Sequence, residues 1–291
     1  MESIIQTQPY VNIYSKELND TEFNKLSSFI YTHYGIKMPF SKKGMLQARL
    51  QNRLRENKMS SFKEYCDFVF SGKEGDSEIV HMIDVVSTNK TDFFREAAHF
   101  EFMKSVVLPE FQENAPGEVL RIWSSACSSG EEVYTLGMVL NEFLDGKKHF
   151  DYSILGTDIS TRILNKAANA IYQEERVANL PLDLKRKYLL KSKDRENPSV
   201  RIIPEIRQKA KYQRLNLMDD AYIQVPKNHD VVFCRNVLIY FDRETQEKVI
   251  NKLCAHLKPN GYFFLGHSES ITGIDVPLKQ IKPTIFKKID R

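Results

Sequence analysis

Several absences narrow the field first. The chain carries only four cysteines, Cys66, Cys127, Cys234 and Cys254, and no two form a CxxC pair. That scarcity argues against a zinc site or a disulfide framework and for reduced thiols, so no metal is expected. Charge of one sign is also lacking. The 42 basic and 38 acidic residues leave a net +4, too little to demand a nucleic-acid partner. Met1–Tyr14 lacks the basic start, apolar stretch and small-residue cleavage site of a secretory signal, and no apolar run approaches a membrane span. A cytoplasmic protein without membrane insertion is expected. Finally, no GxGxxG appears where a dinucleotide-binding turn would need it.

Apolar residues make up 42% of the 291 positions, enough to build proper cores, and the length suits two domains of unequal size. Two styles of sequence meet near Thr88. Before it, apolar residues recur at helical spacing: Phe23, Leu26, Phe29, Ile30 and Tyr34, then Met45, Leu46, Leu50 and Leu54, then Phe62, Tyr65, Cys66 and Val69. Asn19-Asp20-Thr21, Ser41 and Ser60-Ser61 offer side-chain oxygens to first-turn amides. Residues 10–86 therefore read as a small helical domain, 87–118 as a linker, and 119–291 as a second domain.

In that second domain short β-rich runs alternate with helices. Strands are expected at Val119–Trp123, Tyr152–Gly156, Lys211–Leu215, Val231–Cys234, Tyr262–Leu265 and Thr284–Lys288. Helices are expected at Glu131–Leu144, Thr161–Ala170 and Arg243–Leu257, the last ended by Pro259-Asn260-Gly261. This alternation predicts an α/β fold with a doubly wound, mostly parallel sheet. The stretch 171–209 is too long for a plain connection. It predicts an inserted small antiparallel β subdomain around Lys187–Leu190 and Val200–Ile203.

Ligands of such sheets bind beyond the carboxyl ends of the strands. Three turns there carry chemistry. Ser124–Glu132 combines small residues with Gly130 and an acidic pair, Glu131 and Glu132. Those carboxylates would repel a pyrophosphate but suit the ammonium or hydroxyls of an adenosyl amino acid. Asp158, after the second strand, is placed to accept hydrogen bonds from ribose hydroxyls, against the plainer alternative of capping the next helix. The third turn, Phe233–Asp242, delivers Arg235, Asn236 and Tyr240 at the end of a buried strand.

Together with Thr88–Glu96, these turns form an ordered set that resembles the CheR-type chemotaxis receptor methyltransferases. The resemblance runs through TNKTDFFR at Thr88–Arg95, SACSSGEE at Ser125–Glu132, TDIS at Thr157–Ser160, AIY at Ala170–Tyr172, CRNVLIYF at Cys234–Phe241 and GHSES at Gly266–Ser270. It implies a class I, Rossmann-like methyltransferase that uses S-adenosylmethionine (SAM) to methylate glutamate side chains of receptors, leaving S-adenosylhomocysteine. The implied cofactor contacts are Asn89, Thr91, Arg95, one of Glu131 and Glu132, Asp158, Asn216, Leu217, Arg235 and Asn236. Arg95, Arg235 and Tyr240 are implied at the reacting centre. Cys127, Cys234, His99 and His267 read as packing or supporting residues. Between Ile36 and Lys58 seven basic residues face a single acid, Glu56. A solvated face is the ordinary reading of such a helix. The resemblance instead favours docking of acidic receptor helices at Arg49 and Arg53, and it leaves open whether the inserted subdomain takes a receptor's C-terminal tail peptide. The competing readings are a SAM-dependent methyltransferase of another substrate class and a non-catalytic SAM-binding module.

Overall fold

A computed structural model describes residues 17–145 and 149–290, so the expected domain start at Tyr10 lies outside the described residues. The chain divides into two compact units. The first holds residues up to Thr32 and Lys37–Val86, and the second holds His33–Ile36 and Ser87–Arg291.

The first unit is built from α1 (Asp20–Tyr34), α2 (Lys43–Glu56), α3 (Phe62–Val69) and α4 (Asp76–Val86). α1 begins on a capping box: Asn19 Oδ1 accepts from the Glu22 amide (2.9 Å), and Glu22 Oε2 accepts from the Asn19 amide (3.1 Å). Ser61 caps α3 by accepting from the Glu64 amide at 3.2 Å. The expected cap at Ser41 does not form. A 3-10 turn, Phe40–Lys42, runs straight into α2, whose first turn has no side-chain cap. The predicted stripes meet in the core through Phe23, Leu26, Leu46, Leu50, Tyr65 and Val69, all buried.

In the second unit, α5 (Ala98–Phe102), a π-helical turn (Met103–Val107) and α6 (Leu108–Asn114) precede the sheet. Then follow β1 (Val119–Ser124), α7 (Glu131–Leu144), β2 (Asp151–Asp158), α8 (Thr161–Asn169), β3 (Ile171–Gln173), α9 (Leu182–Tyr188), β4 (Leu189–Lys191), β5 (Ser199–Ile202), α10 (Pro204–Arg207), β6 (Ala210–Arg214), β7 (His229–Cys234), α11 (Arg243–Cys254), β8 (Leu257–Leu265), β9 (Leu278–Lys282) and β10 (Ile285–Lys288). The main sheet has the order β6-β2-β1-β7-β8-β10-β9. β6, β2, β1, β7 and β8 pair in parallel, whereas β10 runs against both its neighbours.

Alternate residues of each central strand feed opposite faces, as the two-residue period of a strand requires. Ile122, Val231, Phe233 and Phe264 join one core with α7, and Trp123, Val232, Cys234 and Phe263 join the other with α11. Both faces are thus covered, the normal condition of a parallel sheet. The strand order reverses between β2 and β7 on either side of β1, which opens the crevice where α/β folds bind ligands.

The inserted segment forms the antiparallel sheet β3-β5-β4, packed through Tyr188, Ile202 and Ile206 onto Tyr134 of α7. It holds three strands rather than two, because Ile171–Gln173 pairs with Ser199–Arg201. Two boundaries shift and one strand is new. β2 continues through Asp158, since Thr157 and Asp158 pair with Gln213 and Arg214. α11 stops at Cys254, before Pro259, because Leu257 is already paired with His229. β9 was not expected; only Leu278 of it is buried, so it shows little apolar pattern.

Candidate active site

The turn after β1 is fixed to its neighbours by main-chain bonds. The Ser125 amide donates to Phe233 O (2.8 Å) at the end of β7, and the Cys127 amide to Thr157 O (2.8 Å) at the end of β2. Thr157 Oγ1 donates back to Ser125 O at 3.1 Å and accepts from Trp123 Nε1 at 3.0 Å. Gly130 takes a left-handed φ of 92° at the start of α7, and a Cβ there would lie 2.9 Å from the Ala167 Cβ, so only glycine fits.

Asp158 stands within this knot. Its Oδ2 accepts from the Ser128 amide (2.9 Å) and its Oδ1 from the Ser160 amide (3.0 Å), with only 8% of the residue exposed. It does not cap α8. Ser160 does, by accepting from the Ile163 amide.

The acidic pair is split between two partners. Glu131, 1% exposed, accepts from Ser129 Oγ (2.6 Å) and from Arg176 Nη2 (2.7 Å). Glu132 accepts from Ser124 Oγ (2.7 Å) and from Arg235 Nη1 (2.7 Å). Arg176 comes from the inserted segment, in the 3-10 turn Glu174–Val177, and also bonds Thr91 O and Asp92 Oδ1. It thereby straps the linker and the insert to the first turn.

Arg235 is the most engaged of the predicted side chains. Its side chain is 3% exposed, lies over the Phe100 ring (5.6 Å), and donates through Nη2 to Arg95 O (2.5 Å) and Glu96 Oε2 (3.0 Å) as well as to Glu132. Nη1 and Nη2 are thus spent on protein oxygens, whereas Nε is buried without a hydrogen-bond partner among the described residues. The place of Arg235 is to hold Arg95, Glu96 and Glu132 together. Arg95 itself is half-buried, spends only Nη1 on Lys90 O (2.9 Å), and forms no ion pair among the described residues. Burial pushes the Glu96 carboxyl up, but the charge and hydrogen bond of Arg235 and bonds from His267 N and Asn236 bring it below its ordinary value.

The other predicted contacts fall around this group. Ser128 Oγ donates to Asn89 O (2.9 Å), and Thr91 is buried beneath the Arg176 bond. Asn236, at a left-handed φ of 59°, donates through Nδ2 to Glu96 Oε1 at 3.3 Å. Tyr240 ends a 3-10 turn, Leu238–Tyr240, and is half-buried. Asn216 and Leu217 follow β6. Asn216 Oδ1 accepts from the Met218 amide (3.1 Å) and Nδ2 donates to His33 O (2.9 Å), while Leu217 sits in the α11-side core.

Three residues escaped the sequence reading: Arg176, Glu96 and Glu269. Glu96 adjoins Arg95 and Glu269 lies in GHSES, so position alone could have flagged them, whereas the insert gives Arg176 no signal. Glu96, His99 and His267 bring three ligand atoms within 4.8 Å of one another. The Arg235 guanidinium already occupies the Glu96 oxygen, which opposes a further cation there. Burial first, and then Arg235, push His99 down to about 4, so its ring is neutral at pH 7.

In the first unit the two residues of the expected docking pair have different surroundings. Arg53 is buried. Its Nε and Nη2 grip Glu78 (2.9 and 2.5 Å), Nη1 meets Glu56, and Tyr65 Oη donates to the same Glu78 at 2.8 Å. Arg49 is half-buried and donates to Val86 O, while Lys37 and Lys58 are exposed.

Comparison with known proteins places this geometry. Residues 89–286 match the family described as "CheR methyltransferase, SAM binding domain", and residues 21–87 match "CheR methyltransferase, all-alpha domain". The chain is similar to the chemotaxis protein methyltransferase of Borreliella burgdorferi, 39% identical over 284 residues covering 95% of this chain and 98% of that one. It is also similar to chemotaxis protein methyltransferase 2 of Vibrio cholerae (35% identical, 88% of each chain) and to the chemotaxis protein methyltransferase of Escherichia coli (34% identical, 89% of this chain and 87% of that one).

Proposed function

The chain belongs to the CheR methyltransferase family, and from that premise we propose that it methylates glutamate side chains on the cytoplasmic helices of chemotaxis receptors, in the cytoplasm. SAM is its cofactor, and the donor set at the strand ends suits that molecule. Asp158 stands where ribose hydroxyls need an acceptor. Glu131 and Glu132 line the first turn on the side where an ammonium needs one, and Arg95 has donors left for a carboxylate. Asn216 and Leu217, which follow β6, are taken as the pair beside the adenine, and Asn89 and Thr91 as the linker's contribution.

SAM supplies an electrophilic methyl group on a sulfonium. A glutamate carboxyl, with a reference pKa of about 4.3, is already an anion at neutral pH, so the site needs no base to create the nucleophile. One C–O bond forms as one C–S bond breaks, and no proton moves. The protein's task is alignment, worth up to roughly 7–11 kcal/mol of barrier in ideal cases. Arg95 orients the incoming carboxylate, Tyr240 approaches the transferred methyl, and Arg235 positions both neighbouring segments from beneath. Arg95 must hold its anion loosely, since tighter ground-state binding would raise the barrier.

Docking of an acidic receptor helix falls to the accessible basic residues of the first unit, Lys37, Arg49 and Lys58, with Arg53 serving the fold instead. The observation that carries the proposal is the gathering of Asp158, the Glu131–Glu132 pair and Arg95 around the switch point of a parallel sheet. Incubating the protein with radiolabelled SAM and receptor-rich membranes tests it. Base-labile label on receptor is expected. Alkali-stable label would mark nitrogen methylation and end the ester reading.

A further inference from the structure

Glu269 is a buried carboxylate, 9% exposed, with no lysine, arginine or histidine partner among the described residues. Four main-chain amides hold it instead. Oε1 accepts from Val237 N (2.9 Å) and Leu238 N (2.7 Å), and Oε2 accepts from Asn236 N (2.9 Å) and Gly266 N (2.7 Å). Three of these amides are consecutive and converge because Asn236 adopts a left-handed φ, the arrangement in which a turn makes a cradle for an anion. The fourth comes from the turn after β8. One side chain thus staples the two turns that follow adjacent strands of the sheet.

The staple leads directly to the reacting centre. Leu238 opens the 3-10 turn that ends at Tyr240, and the Tyr240 amide closes on Val237 O at 3.2 Å. On the other side Asn236 reaches Glu96, which holds Arg235. A short neutral side chain could satisfy one or two amides, but fixing all four to one point requires a two-oxygen acceptor of this length.

Resting on the methyl-transfer reading above, we propose that Glu269 is a positioning residue, setting Asn236 and Tyr240 against the transferred methyl group through the four amides that it gathers. Glu269→Gln keeps the volume but turns one oxygen into a donor that faces amide hydrogens.

The variant is compared with wild type in three measurements: S-adenosylhomocysteine binding by calorimetry, receptor methylation at saturating SAM expressed per binding site, and amide hydrogen exchange at residues 236–238 and 266. Turnover per site should fall roughly ten- to a hundredfold, the scale of a misplacement near 1 Å. Affinity should stay within about threefold, below 1 kcal/mol, and the four amides should exchange faster. Gly266→Ala disturbs the same turn independently, since its Cβ would lie 2.4 Å from Asn236 Nδ2, and should also lower turnover per binding site. Wild-type turnover per binding site in both variants overturns the inference. So does a loss that vanishes once the binding-competent fraction is counted, which would mark a merely structural role. If wild type itself labels no receptor, the function reading falls with it, an outcome distinct from an active wild type with equally active variants.

Discussion

Replacing Arg53 by alanine separates docking from folding in the first unit. Glu78 is 3% exposed, and among the hydrogen bonds it takes are two from Arg53 and one from Tyr65. Burial pushes its carboxyl up, but the bonds from Arg53, Asn57 and Tyr65 together hold it below the ordinary value. Without Arg53 the charge stays buried with neutral donors only, and removing one partner of such a pair costs about 3–5 kcal/mol. Native-state hydrogen exchange on α2 and α4 reads this directly: amides that open with the unit should exchange on the order of 10²–10⁴ times faster. The double replacement Arg53→Met, Glu78→Leu should recover most of the loss, less about 1 kcal/mol for the stranded Tyr65 hydroxyl. The pair's contribution is present above the unfolded carboxyl pKa of about 4.3 and is lost as pH falls below it through the lowered native value. Wild-type protection in Arg53→Ala, with receptor methylation lost, would refute this reasoning and return Arg53 to the docking surface.

Asp158→Ala should weaken S-adenosylhomocysteine binding by about 1.5–3 kcal/mol, the range for a charged hydrogen bond, and unchanged calorimetric affinity would remove it from the site. Arg95→Ala should lower kcat and kcat/KM together and more strongly than Tyr240→Phe, with SAM affinity largely kept in the latter; steady-state kinetics showing only a raised KM would make both binding elements. Burial pushes His99 and His229 down to about 4 each, so the unfolded chain binds more protons between about pH 4 and the unfolded value near 6.5. Thermal stability should rise with pH through that window, and His99→Gln should flatten the rise.

Much of the fold was legible because its patterns are local. The small residues of the first turn and Gly130 announced the start of α7 at Glu131, and the unbroken apolar run Val231–Cys234 announced a strand covered on both faces. What escaped depends on contacts distant in sequence. Arg53 lies among leucines on a basic helix and reads as solvated, because the carboxylate that buries it stands 25 residues away on α4. Pro259-Asn260-Gly261 reads as the stop of α11, yet the chain had already turned to pair with β7. At the site, Asp158 and the acidic pair could be named from their place at strand ends. Arg235 was named too, but the role of a guanidinium depends on what occupies its edges. Glu96 and Glu132 occupy them here, and no motif states that.

The strap made by Arg176 bears on how this protein can be rebuilt. A subdomain inserted between two strands, with a small sheet of its own, invites exchange among relatives. Arg176 breaks that modularity. It travels with the insert, yet its three partners, Thr91, Asp92 and Glu131, stay with the host. A chimaera whose donor segment lacks an arginine at this place would keep both folds and strand the buried Glu131 without its cation. On the proposed reading of the site, the graft would register first as a defect in cofactor binding.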